Sequence, residues 1–259
     1  MINIRKIVLR LYTKLLLSKE KIFKGDKCDL KYLFFKSRKS KYLLIVFSGF
    51  NGNGKARYNC IRKFISLRCN KLYILDDFGD DNKGSYYLGE NGDFFIDDAV
   101  SKLINTITTK NNISKNHIIC SGSSKGGFAS LYFALKYKFG YAIAGAPQIL
   151  LGNYLNIPRH EHILKYIFRE TSKKEINYGN GLLLGIIESL KVYPKLYLHV
   201  GKDDDHYQEH VIPLINKLKS KNIWFDLDVQ EGENHGTLGL FYPNFAKKII
   251  IKIISDKTE

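Results

Sequence analysis

The stretch His117–Phe128, HIICSGSSKGGF, constrains the fold of this 259-residue chain more than any other. A short apolar run ends in a serine set between glycines, and a helical pattern over Gly126–Tyr137 begins at once. A chain can do this only by turning sharply from a strand into a helix. The flanks must then be small enough for the two arms to approach, as Gly122, Gly126 and Gly127 are. A serine on such a turn, here Ser124 in G-x-S-x-G, is pushed out above the edge of a sheet. The fold must therefore supply a sheet whose strands feed helices.

The rest of the sequence agrees. Leu30–Phe35, Tyr42–Phe47, Lys71–Leu75, His117–Cys120, Tyr141–Ala144, Leu196–Val200 and Trp224–Val229 are short, apolar and rich in β-branched or aromatic residues, and read as strands. Helical patterns lie between or after them at Asn59–Leu67, Ile96–Thr109, Gly126–Tyr137, Gln208–Ser220 and Pro243–Ile254. Such alternation predicts an α/β fold with a mostly parallel central sheet covered by helices on both faces. One stretch breaks the rhythm. Residues 150–192 contain no strand pattern, and their Pro158, His160, His162 and Tyr178–Gly181 predict short helices and loops, an insertion placed as a lid would be. The expected division is 1–40, a basic helix and leading strand, and 41–259, the α/β domain that carries the insertion at about 150–192.

Composition excludes disorder, collagen and coiled coil, since 44% hydrophobic and 25% charged residues is ordinary globular usage. Cys28, Cys60, Cys69 and Cys120 form no CxxC pair and predict free thiols. Charge is less ordinary. The net charge is +16, and ten of those charges fall within residues 1–41. Such an excess favours polyanionic partners. No recognised nucleic-acid motif accompanies it, so no specific nucleic acid is expected. Residues 1–18 read as an amphipathic helix with Ile4, Ile7, Val8, Leu11 and Leu15 at helical spacing, interrupted by Arg5, Lys6, Arg10 and Lys14. No uncharged run is long enough for a signal peptide or a span, which predicts a cytoplasmic protein. The helix is expected to dock on the body of the domain; contact of residues 1–20 with an anionic membrane surface is the alternative.

A nucleophilic serine needs a base and an orienting acid, and in this architecture they follow in the order serine, acid, histidine. After Leu196–Val200 comes Gly201-Lys202-Asp203-Asp204-Asp205-His206, and after Trp224–Val229 comes His235 in a glycine-flanked loop. Catalytic groups gather at such strand ends in open parallel sheets. His235 is therefore the expected base and Asp204 the expected acid, with Asp203 and Asp205 as alternative acids. The expected oxyanion donors are the backbone N–H of Lys125, at a helix N-terminus, and that of Phe50 or Asn51, in the glycine-rich turn after Tyr42–Phe47.

Two motifs compete. Gly49–Ala56 matches G-x-x-x-x-G-K, a phosphate-cradling loop, and Asp76 could pose as its magnesium-binding aspartate. Ala56, however, stands where the magnesium-binding Ser or Thr belongs. A nucleotide-binding protein is thus the lesser alternative. His206 and His210, at i and i+4 beside Asp203–Asp205, have a spacing compatible with zinc, but a solvated helix start explains them as well, and no metal is expected.

The set Gly122–Gly127, Asp204 and His235 resembles the α/β-hydrolase superfamily. The strings GSSKGGFASLYFAL, GSYYLGENGDFF and GKDDDHY look like a narrower bacterial group, the accessory-secretion acetyltransferases and capsular polysaccharide O-acetyltransferases. The resemblance spans roughly residues 42–250, with the N-terminal helix and the insertion outside it. It implies an α/β-hydrolase-like fold, a Ser124–His235–Asp204 triad, and acetyl transfer from acetyl-CoA to a hydroxyl of a glycan. With water as the acceptor, the same residues would make an esterase.

Overall fold

In the computed structural model, residues 4–38, 40–50 and 55–256 are described. The chain runs from helix α1 (Ile4–Leu17) through strands β1 (Lys21–Lys24), β2 (Asp29–Phe35) and β3 (Leu43–Phe47) to a single turn of helix, α2 (Ile61–Phe64). Strand β4 (Asn70–Ile74), helix α3 (Phe95–Lys110), strand β5 (Ile118–Ser123), helix α4 (Lys125–Tyr137) and strand β6 (Tyr141–Gly145) follow. Helices α5 (Leu151–Leu155), α6 (Glu161–Phe168) and α7 (Lys173–Ser189) come next. Strand β7 (Lys195–Gly201), helix α8 (Ile212–Ser220), strand β8 (Phe225–Gln230) and helix α9 (Leu238–Ser255) complete the chain.

All eight strands form one sheet in the order β1-β2-β4-β3-β5-β6-β7-β8. The pairs from β4 to β8 are parallel, while β1 and β2 are joined antiparallel at one edge. Strand β3 is buried at every position, as a parallel strand covered on both faces must be. Two contacts fix the sides on which its helices lie. An added methyl at Gly122 would meet Gly126 of α4, whereas the hydroxyl of the neighbouring Ser121 lies 2.8 Å from that of Tyr242 in α9. Successive side chains of a strand point to opposite faces, so α4 and α9 cover opposite faces of the sheet. This is the α/β-hydrolase architecture that the alternation and the resemblance implied.

The structure departs from expectation in four places. Strand β1 lacks an apolar signature, because it is an exposed edge strand whose pairing with β2 comes from the hairpin. The helix expected over Asn59–Leu67 shrinks to α2, after Cys60 in the left-handed conformation, where a continuous helix cannot form. The insertion is more helical than expected, since α7 runs for 17 residues and buries Leu183 and Ile187. Helix α1 does not dock along its length. Leu16 is buried, but Val8, Leu11 and Leu15 are 58%, 61% and 61% exposed. The apolar stripe faces away from the body, so its periodicity marked a face without marking what covers it. Among the described residues, no helix is long and apolar enough to cross a membrane. The four cysteines are unpaired, and burial pushes the Cys60 thiol up to about 12.

Candidate active site

Ser124 lies between β5 and α4 with φ 55° and ψ −122°, a conformation that costs a non-glycine residue about 1–3 kcal/mol and so must be imposed by its surroundings. The turn is held from several sides. The Ser124 N–H donates to the Gly145 carbonyl at 2.8 Å, and the Ser124 carbonyl accepts from the N–H groups of Gly127 and Phe128. A methyl at Gly126 would sit 2.6 Å from the Phe47 carbonyl oxygen, and one at Gly127 would sit 2.7 Å from that of Gly145. Helix and sheet therefore approach as closely as the sequence suggested.

A buried ion pair fastens the helix start. The Lys125 ammonium donates to the Asp76 carboxylate at 2.7 Å, and neither side chain has any exposure. Asp76 also accepts from the N–H groups of Ser85 and Tyr87. Burial pushes the Lys125 pKa down, and the Asp76 charge opposes that shift. The carboxylate considered for magnesium is thus spent on the serine turn, which takes the magnesium ligand from the nucleotide-binding alternative, while residues 51–54 of its loop lie outside the described residues.

Ser124, His235 and Asp204 converge. The Ser124 hydroxyl lies 3.1 Å from His235 Nε2, and His235 Nδ1 lies 2.9 Å from Asp204 Oδ2. Asp204 is buried, whereas Asp203 and Asp205 are exposed and take no part in this chain of contacts. The other Asp204 oxygen accepts from the backbone N–H and from Nδ1 of His206, both at 2.9 Å. Burial alone would raise the Asp204 pKa, but hydrogen bonds from His206 and His235 outweigh it and hold the carboxyl well below the usual range. Both imidazoles then carry their proton on Nδ1, leaving His235 Nε2 free to accept from the serine.

Sequence reasoning did not single out Gln148. Its side-chain amide donates to Ser124 Oγ at 2.6 Å and to His206 Nε2 at 3.2 Å. A second path therefore runs from Asp204 through His206 and Gln148 to the serine. The rings of His206 and His235 stack with centroids 4.0 Å apart. The available signal was position, since Gln148 lies just beyond the carboxyl end of β6. The insertion contributes as well. Tyr154 packs 5.4 Å from the His206 ring and 5.0 Å from His160, which stacks on Phe50. Burial, reinforced by Arg159, pushes His160 down to about 4.

The set considered for zinc does not assemble as its spacing suggested. His210 turns to the Leu150 N–H at 3.3 Å, and burial pushes its pKa down to about 3. The ligand atoms that do converge, on Asp204, His206 and His235, lie within 4.8 Å of one another, but the carboxylate is already shared by both imidazoles.

Of the expected oxyanion donors, Lys125 opens α4, and among the described residues nothing accepts its backbone N–H or that of Phe50. The Phe50 ring lies 5.4 Å from the Lys125 ammonium, and a methyl on Gly49 would meet the Ser123 carbonyl oxygen at 3.1 Å. The loop entering from β3 thus lies against the serine turn. Asn51 falls outside the described residues. The arrangement has the parts for nucleophilic attack by a serine: a proton acceptor, an anion to orient it, and N–H groups beside the turn that no described residue accepts.

Solved structures share this fold. The capsule O-acetyltransferase of Neisseria meningitidis serogroup A is 26% identical, with a TM-score of 0.76 over 89% of this chain and 93% of its own. A histidine-to-alanine mutant of that enzyme, solved in complex with CoA, is 23% identical with a TM-score of 0.73 over 91% and 96%. The fluorophosphonate-binding serine hydrolase FphF of Staphylococcus aureus is 17% identical, with a TM-score of 0.67 over 92% and 98%. No curated protein matches the chain by sequence. Residues 76–249, most of the chain, match the prolyl oligopeptidase family. An enzyme of the serine-hydrolase fold, this chain belongs to the prolyl oligopeptidase family.

Proposed function

We propose that this protein is a serine acyltransferase that moves an acetyl group from acetyl-CoA to a hydroxyl of a bacterial surface glycan. The observation that carries the reading is the unbroken hydrogen-bonded line Ser124–His235–Asp204. The likeness to a capsule O-acetyltransferase, one form of which was solved with CoA, favours transfer over other serine chemistry.

His235 Nε2 takes the Ser124 proton as Oγ attacks the thioester carbonyl, and Asp204 stabilises the imidazolium that forms. The N–H groups of Lys125 and Phe50 are the donors proposed for the oxyanion, with Asn51 as the alternative to Phe50; one such donor is typically worth about 2.7–4 kcal/mol. Collapse expels the thiolate, which takes the proton from His235, and leaves acetyl-Ser124. The acceptor hydroxyl then gives its proton to His235, attacks the ester, and leaves acetylated as the serine is reprotonated. Water in the acceptor's place gives the esterase reaction instead.

The +16 charge supports an anionic glycan as acceptor, and the proposed thioester donor supports a cytoplasmic reaction. The uncovered stripe of Val8, Leu11 and Leu15, on a segment rich in Lys and Arg, supports peripheral contact with an anionic membrane. Leu11→Glu/Leu15→Glu should abolish co-sedimentation with phosphatidylglycerol vesicles; equal pelleting of both forms removes that contact.

Intact mass spectrometry tests the central reading. Incubation with acetyl-CoA should add one acetyl group, at Ser124, and Ser124→Ala and His235→Ala should abolish it. Loading from p-nitrophenyl acetate with rapid hydrolysis, and none from acetyl-CoA, would make the protein an esterase.

A further inference from the structure

A groove of about 1000 Å³ lies between α1, residues 56–60, α2 and the first turns of α9. Leu9, Leu17, Ile61, Leu75 and Pro243 make much of its wall aliphatic, and it reaches Ser123, the residue before the nucleophile. Arg10, Lys14, Arg57, Arg62 and Lys63 line the same groove, against one acid, Glu20.

Several lysines elsewhere on the molecule are neutralised by a neighbouring carboxylate. Lys24, Lys27 and Lys102 each meet a carboxylate, of Asp29, Asp93 and Asp26 respectively. In the groove, the Glu20 carboxylate accepts from the Tyr58 hydroxyl at 2.8 Å, and Lys63 donates to the Asn244 side-chain oxygen at 3.2 Å. Among the described residues, no carboxylate pairs with Arg10, Lys14, Arg57 or Arg62. Unpaired like charges around one concavity repel each other, and its apolar walls focus their field, so an anion is held there more strongly than on an open surface. Arginine adds a planar fork that fits phosphate oxygens two at a time.

A ligand complementary to this groove is multiply anionic in one part and uncharged where it nears the serine. Aliphatic walls suit a thin, neutral arm better than a chain of sugar rings, which would call for aromatic faces and polar partners. Acetyl-CoA has that distribution, with three phosphate groups on its nucleotide and a thioester at the end of a long uncharged arm. We infer that this groove is the seat of the acyl donor, with Arg10, Lys14, Arg57 and Arg62 taking its phosphates and the arm crossing the aliphatic wall toward Ser124. The inference rests on the acetyl-CoA reading and adds to it where the donor lies.

The test compares the wild type with Arg57→Gln/Arg62→Gln. Both side chains are exposed, so the fold should persist, which circular dichroism checks. The Kd for coenzyme A by titration calorimetry and the KM for acetyl-CoA should each rise about tenfold, and the rise should shrink in high salt. The rate with p-nitrophenyl acetate, which has no phosphate, should not change. An unchanged Kd and KM in the variant overturns the groove while leaving acetyl-CoA as donor. An equal loss with p-nitrophenyl acetate also overturns it, since the variant would then have damaged the site itself. Failure of the wild type to acetylate Ser124 from acetyl-CoA overturns the donor reading, and this inference with it.

Discussion

Replacing Asp204 by asparagine tests the arrangement at its most informative point, because the change is nearly isosteric and its effect can be worked out from the contacts. Asp204 Oδ1 accepts from the backbone N–H and Nδ1 of His206, and Oδ2 accepts from Nδ1 of His235. A backbone N–H cannot become an acceptor. The amide oxygen of the introduced asparagine must therefore stay on the His206 side, and its NH2 must face His235. Nδ1 of His235 then has to accept, which moves the ring proton to Nε2, where it blocks the transfer from Ser124. A wrong tautomer of this kind costs about 10⁴-fold in kcat, or about 5.4 kcal/mol of transition-state stabilisation. Stopped-flow measurement of p-nitrophenol release from p-nitrophenyl acetate reads the acylation rate directly. Asp203→Asn and Asp205→Asn, at exposed positions, should stay within about twofold of the wild type. More than about a tenth of wild-type rate in Asp204→Asn would refute the reasoning, as would an equal loss in either neighbour. Stability gives a second readout. The Asp204 pKa is depressed in the fold, so its contribution is present above the ordinary carboxylate value of about 3.9 and is lost as pH falls below it. Denaturant midpoints of Asp204→Asn should lack that part of the acid-side decline.

Gln148→Ala removes a donor to the nucleophile and strands a buried ring nitrogen of His206. Acylation should slow about tenfold, and urea unfolding should show a loss of about 1–3 kcal/mol. Asp76→Asn leaves the buried Lys125 ammonium without its counter-charge and should cost about 3–5 kcal/mol in the same unfolding experiment. His210 is held neutral in the fold, with a pKa near 3, while in the unfolded chain it takes up a proton near the ordinary value of about 6.5. Its stabilising contribution is thus complete above pH 6.5 and declines as pH falls toward 3, so His210→Leu should flatten the stability profile across that window.

Periodicity made the sheet and its covering helices legible, because strands buried on both faces must be apolar throughout and the helices between them must show one apolar face. It failed where an element is held by something other than burial. Strand β1 is an exposed edge formed by pairing, and α2 is cut short by the left-handed backbone of Cys60. The positions of Ser124 and His235 could be read because strand ends are fixed by topology, and a loop at a strand end must open on the same rim as its neighbours. Three consecutive aspartates looked alike in one dimension. They differ only in which side chain the turn after β7 buries beneath the two imidazoles.

The sequence alone determined the alternation of the central strands with their covering helices, the sharp turn that carries Ser124, and the positive charge of the first forty residues, since each depends on residues near one another in the chain. Only the tertiary structure decided that Asp204 takes two imidazoles, that Gln148 reaches the serine, that Asp76 holds Lys125, and that α1 leaves its apolar stripe uncovered. Those contacts join residues from separate strand ends or depend on what lies beyond a helix face, and a hydrogen bond a few ångströms long leaves no trace in the spacing of letters along a chain.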